Sequence, residues 1–265
     1  MKRLINVFAV LALLTAGSYS CTQDEVTTND ATVISQDVLQ KIAQLGFSTS
    51  KVIKEEDGYI VEGDIFLHEY DLNGVPNALR VPGIEQYHTF NLVTGLPRVI
   101  TVRVVTSGSG RLPTSYVTAT DEAIARYNAE NLQITFQRVT SGGNIVIRKG
   151  SGNYLASAGF PTSTGNPYNQ ILVNSNAIGN QPQSTVASIL AHEIGHCIGF
   201  RHTDWFDRSI SYGTGGSEGE GSVGAVHIPG TPTGTDNSSV MKSCFSNGQP
   251  ATWSSNDEVA LDYLY

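Results

Sequence analysis

The sequence predicts an α/β (α+β) fold with one long buried helix and a small segment in front of it. Two patterns lead there. From Pro97 onward, short β-branched runs alternate with helix-like runs, the order expected when helices return the chain to a sheet. Residues 183–199, QSTVASILAHEIGHCIG, form an apolar-periodic run that reads as one buried helix. Composition agrees, with 40% hydrophobic and 15% charged residues in a chain of 265 and a formal charge of −8. So acidic a chain argues against nucleic acid and anionic membrane surfaces as partners.

At the front, Lys2 and Arg3 precede an apolar run from Leu4 to Ala16, and residues 1–20 read as an export signal too short to span a bilayer. Cys21 then stands where a lipoprotein cysteine is acylated, ordinary signal-peptidase cleavage being the other reading. Residues 21–30 form a polar tether. The expectation is an exported protein, either an outer-membrane or cell-surface lipoprotein or a secreted one. It would touch membrane only through an N-terminal lipid anchor.

Residues 31–95 make up the front segment. Ile34, Val38, Leu39, Ile42 and Leu45 share one stripe of a short helix, with Ser35 as a cap and Gly46 as the stop. Residues 59–67, YIVEGDIFL, read as a strand interrupted by Gly63 and Asp64, neither of which suits a strand interior.

Residues 96–265 carry the α/β pattern. Strands are expected at 99–105, 132–139, 144–149 and 170–174, and a helix at 120–130. The buried helix at 183–199 opens at Ser184 or Thr185 and closes at Gly199. A Gly-rich stretch, 213–236, has no periodicity and reads as a long loop. Residues 254–265 close the chain with a capped helix offering Val259, Leu261 and Leu264 for packing.

The most specific signal lies at the end of the buried helix, in the frame H-E-x-x-H-x-x-G-x-x-H of residues 192–202. At 3.6 residues per turn His192 and His196 stand one above the other and can share one metal ion. Gly199 can take φ > 0 and turn the chain so that His202 swings under the same ion. Three protein ligands leave a fourth position open, which marks a catalytic rather than a structural Zn²⁺ site. Water there would have its pKa lowered to roughly 7, and Glu193, on the same turn, would serve as general base for attack on a peptide carbonyl.

This extended motif resembles that of the metzincin clan of zinc peptidases, and the literal HEIGH, with HIPGTPTG at 227–234 and SVMKSC at 239–244, resembles the dual-action HEIGH metallopeptidases. The resemblance implies a metzincin-type zincin fold, a twisted mixed sheet with the active-site helix and a small N-terminal pro-segment, together with a zinc endopeptidase activity and a protein or peptide substrate. It makes Met241 the Met-turn methionine, a packing floor under the metal. It also implies an edge strand between residues 153 and 160 that pairs with extended substrate, and a substrate-pocket wall in the Gly-rich loop. V-E-G-D at 61–64 is similar to an element of astacin propeptides whose aspartate occupies the metal, so Asp64 becomes a latency switch by analogy. A solvent-facing turn is the other reading of those residues. Astacins carry a tyrosine ligand two residues after the turn methionine; Ser243 stands there, so no tyrosine ligand is expected.

With Cys21 set aside, Cys197 and Cys244 remain, and a disulfide between them would staple the Met-turn to the buried helix. Two buried free thiols are the alternative. The combined expectation is a monomeric, latent zinc peptidase. The competing one is a surface lipoprotein that binds polysaccharide or protein through an inactive peptidase scaffold.

Overall fold

The computed structural model describes residues 33–73, 86–213, 216–217, 223–232, 235–244 and 250–265. The signal and tether at 1–30, with the lipidation expected at Cys21, lie outside them.

The front segment begins with helix α1 (Gln36–Gln44), capped as expected by Ser35, whose Oγ accepts the Val38 N–H at 3.3 Å. Strands β1 (Ile53–Glu55), β2 (Gly58–Val61) and β3 (Ile65–His68) form an antiparallel meander, and a 3₁₀ turn follows at Glu69–Asn73. The single strand read at 59–67 is thus a hairpin. Its turn uses positive φ at Glu62 (60°) and Gly63 (102°), a conformation cheap for glycine and costly for most other residues. Side chains alternate across the hairpin. Tyr59, Val61, Ile65 and Leu67 join Ile42, Leu45, Phe47 and Leu72 in a small core of the segment's own, while Ile60 and Phe66 face the main core.

The second body starts before Pro97. Strand β4 (Tyr87–His88) pairs later with β10 (Val226–His227). The sheet proper contains β5 (Arg98–Val104), β6 (Ile134–Val139), β7 (Ile145–Lys149), β8 (Ala156–Ala158) and β9 (Gln170–Val173). Helix α2 (Ser115–Ala129) opens five residues ahead of the sequence expectation, directly after Pro113 and its cap position Thr114. Then come α3 (Ser175–Ile178), α4 (Gln183–Ile198), α5 (Ser209–Tyr212) and α6 (Ser255–Leu264). The expected caps Ser184 and Thr185 fall inside α4, because Pro182, at φ −53°, takes the cap position two residues before Ser184.

Strand order in the sheet is β1-β2-β3-β8-β9-β7-β5-β6. β6, β5, β7 and β9 run parallel and β8 is antiparallel to β9, so the α/β expectation holds. The expected edge strand is β8, and it is not an edge. β3 of the front segment runs parallel beside it, with Ile65 opposite Ala158 and the Ala158 N–H bonded to the Asp64 carbonyl at 3.0 Å. Helices α2 and α4 cover the main sheet, tied by the Tyr127 hydroxyl, which donates to the Ala191 carbonyl at 2.8 Å. In α6 the capping box of Ser254 and Asp257 forms, Leu261 is buried, and Val259 stays on the surface.

Residues 86–94, grouped by sequence with the front segment, run as a strap over the second body. Thr89 N–H donates to Gly199 O, Phe90 N–H to Val223 O, and Thr94 N–H to Gly165 O. The Val93 N–H bonds to the Tyr265 hydroxyl oxygen. Gln86 is fully buried, and its amide donates to Asp257 Oδ1 at 3.0 Å and Ser239 Oγ at 3.3 Å.

Candidate metal centre

Helix α4 delivers His192 and His196 to one face, and Gly199 ends it at φ 114°. A Cβ at Gly199 would meet Leu92 Cδ2 at 2.7 Å and Asn91 O at 3.1 Å, so both the turn and the strap crossing it require glycine. Beyond the turn His202 comes under the helix. The three Nε2 atoms lie 3.0, 3.2 and 3.3 Å apart. Nitrogens bound about 2.0–2.1 Å from a tetrahedral ion stand about 3.3 Å from one another, so the triplet has the spacing that one zinc ion needs.

The outward nitrogens hold the rings in place. His192 Nδ1 donates to Val240 O at 2.7 Å and His196 Nδ1 to Phe200 O at 2.8 Å, which leaves each Nε2 a lone pair facing the centre. Burial, then the neighbouring His192 and His202, hold His196 well below the usual histidine range and thus neutral.

Asp64 meets these three rings. Its Oδ2 lies 3.2 Å from His202 Nε2 and 3.6 Å from His192 Nε2, and one ligand atom from each of the four residues falls within 4.8 Å of the others. The solvent-facing turn is therefore not what forms; the hairpin tip points into the histidines. Burial pushes the Asp64 carboxyl up, but the histidines outweigh it and hold it well below the ordinary range. Glu193 is 2% exposed, and its carboxyl is pushed well up by burial and then by Asp64.

Met241 lies under the helix, 2% exposed, and the Thr203 N–H donates to its carbonyl at 2.8 Å. Sequence reasoning missed what fixes this turn. Asp204, fully buried, accepts from Ser243 N, Ser243 Oγ and Ser211 Oγ, tying the residues after His202 to those after Met241. Asp257 accepts from Val240 N at 2.9 Å and Ser239 Oγ at 2.6 Å, joining the Met-turn to α6 and to Gln86. A carboxylate two residues past the third histidine was the visible signal for the first network. The second involves residues far apart in sequence and has no local signature.

The expected Cys197–Cys244 disulfide is not formed, and Cys197 is a buried free thiol. Cys244 is itself disulfide-bonded and so is not open to Cys197, and helix geometry is also against the bridge. Gly195 faces Met241, and at about 100° per residue Cys197 is turned about 200° away from that side. It lies in the main core, its thiol pushed well up by burial and then by Glu193, and its carbonyl accepts from Tyr168 N–H.

The sequence profile of the dual-action HEIGH metallopeptidases matches residues 60–265. No curated protein sequence matches the chain. Two solved structures of myroilysin are similar to it at 16% and 17% identity, with TM-scores of 0.39 and 0.40. The matches cover 63% of this chain and 79% of the other in one case, and 66% and 86% in the second.

Proposed function

The chain belongs to the dual-action HEIGH metallopeptidase family and is a zinc metallopeptidase, and from that premise we propose that it is an exported endopeptidase made in a latent form. His192, His196 and His202 would hold a zinc ion, which when bound would supply Lewis-acid polarisation of the scissile carbonyl and acidify a water enough for it to lose its proton near neutral pH. Glu193 is the general base. It adjoins His192 on the same helical turn, and its Oε2 is buried without a hydrogen-bond partner, available to accept the proton of the attacking water and return it to the leaving amine. His192 and His196 keep their orientation through the carbonyls of Val240 and Phe200. The backbone edge of β8 pairs with extended substrate once β3 has left it.

One observation carries the latency reading: Asp64 Oδ2 stands 3.2 Å from His202 Nε2 and 3.6 Å from His192 Nε2, close enough for one ion to be shared by Asp64 and all three histidines. A carboxylate is a competent zinc ligand, and in that position it excludes the nucleophile. The strand that follows Asp64 covers the substrate edge at the same time. Export rests on the signal-like residues 1–20 and the polar tether after them.

The test is to express residues 22–265, measure bound zinc, and assay cleavage of casein before and after limited proteolysis, with Glu193→Ala as control. Zinc-loaded, proteolysed wild type should cleave and the Glu193→Ala chain should not. Equal inactivity of the two would favour a binding protein on a peptidase scaffold.

A further inference from the structure

Along β3 the side chains alternate between two destinations. Ile65 and Leu67 enter the segment's own core, whereas Phe66, 3% exposed, joins the main core and, with His68, meets Tyr168 of the second body. The ring centroids of Phe66 and His68 lie 6.3 and 5.6 Å from that of Tyr168, and His68 Nε2 is 3.1 Å from its hydroxyl. Phe66 and His68 also stand edge to face, 4.9 Å apart. Tyr168 thus receives both side chains that this strand turns towards the body.

The body holds that ring in a fixed place beside β8. The Tyr168 N–H donates to the carbonyl of Cys197 in α4 at 2.9 Å. Its ring lies against Gly159, the residue after β8, where a Cβ would stand 2.8 Å from Cε2. Only glycine admits the ring there. A cavity of about 260 Å³ opens beside Phe66, with Leu172, Gln170 and Arg148 of the second body in its wall. The place that Phe66 occupies therefore has room around it.

We propose that Tyr168 is the floor of a substrate subsite along β8, and that the activated enzyme prefers an aromatic side chain there, two or three residues before the scissile bond. The proposal rests on the peptidase reading and on β8 as the strand that pairs with substrate. A substrate strand in the place of β3 alternates as β3 does, so every second side chain falls on the Tyr168 side. Phe66 is two residues from Asp64, about 7 Å along a strand, which sets the distance from the metal. Direction follows from pairing. β3 leaves Asp64 parallel to β8, whereas the more stable antiparallel pairing runs a substrate the other way and puts this position on its N-terminal side. Aromatic rings attract one another at centroid distances of about 4.5–7 Å. An aromatic residue of the substrate restores to Tyr168 the contact that Phe66 makes now.

The experiment uses the full chain activated by limited proteolysis and peptides in which one position at a time, on both sides of the scissile bond, carries Phe or Leu. At the second or third position before the bond, kcat/KM for Phe should exceed that for Leu by about threefold to tenfold, the scale of one aromatic pair. In Tyr168→Leu that ratio should fall towards one, and Tyr168→Phe, which keeps the ring, should retain it. A ratio within one variant is independent of how much active enzyme it yields. Should Tyr168→Leu not fold, Tyr168→Met removes the ring and should lose the ratio in the same way. Wild type that cleaves casein without preferring Phe at either position overturns the proposal and leaves the peptidase reading intact, as does a ringless variant that keeps the full ratio. Wild type that cleaves nothing overturns both.

Discussion

The thioether of Met241 occupies the space that a side chain on Gly195 would need, with Sδ 2.5 Å from where that Cβ would stand. This gives the glycine of HEIGH a steric cause. In an unobstructed helix interior Gly→Ala stabilises by about 0.5–1 kcal/mol. Here overpacking should win, and Gly195→Ala should destabilise by about 1–3 kcal/mol. Adding Met241→Ala should recover part of that loss. A double-mutant cycle by thermal unfolding reads the coupling, and strict additivity would show that the two do not contact.

Removal of the Asp64 carboxylate should switch on the uncut chain. Asp64→Ala should raise its peptidase activity by about ten- to a hundredfold, the range of a charge-assisted interaction of about 1.5–3 kcal/mol. Initial rates on casein before any proteolysis give the answer. If Asp64→Ala is no more active than uncut wild type, the carboxylate is not what keeps the enzyme silent.

Maturation should leave the strap in place. Gln86 reaches Ser239 and Asp257, which hold the Met-turn, whose Val240 carbonyl orients His192. A cut near Gly95 would remove this chain of contacts. The activated form should therefore begin at or before residue 86, as read by intact mass. Gln86→Ala should cost about 1–3 kcal/mol of stability and weaken zinc retention in a chelator competition.

The thiol of Cys197 should be inert. It is fully buried and burial pushes it well up, so the native chain should resist alkylation at this site and react only after unfolding. Peptide mapping after treatment with iodoacetamide distinguishes the two states.

How much of this was legible in the sequence depended on the range of the interaction. The ligand spacing in His192–His202, the Ser35 cap and the interruption at Gly63 are local, and the chain forms each of them as read. Cysteine arithmetic misled because it counted residues without orienting them; that Gly195 faces Met241 and Cys197 is turned away from it is seen only in the folded chain. The strap could not be read, since Gln86 finds its partners 153 and 171 residues away. Nor could the burial of Arg201, whose guanidinium carbon lies 5.6 Å from the ring centroids of both Phe47 and Phe160, residues far from it in sequence.

The front segment's small core has a consequence for how latency ends. Ile42, Leu45, Phe47, Tyr59, Val61, Ile65, Leu67 and Leu72 pack mainly against one another, so the segment holds its shape by its own contacts. On the proposed latency, cutting the chain after the segment should not dissolve those contacts; it should turn a tethered inhibitor into a dissociable one. Before the cut its effective concentration at the cleft would be fixed by the linker, and afterwards by dilution. Enzyme freed at high local density should then stay suppressed by its own released segments, with activity growing as they diffuse away or are digested.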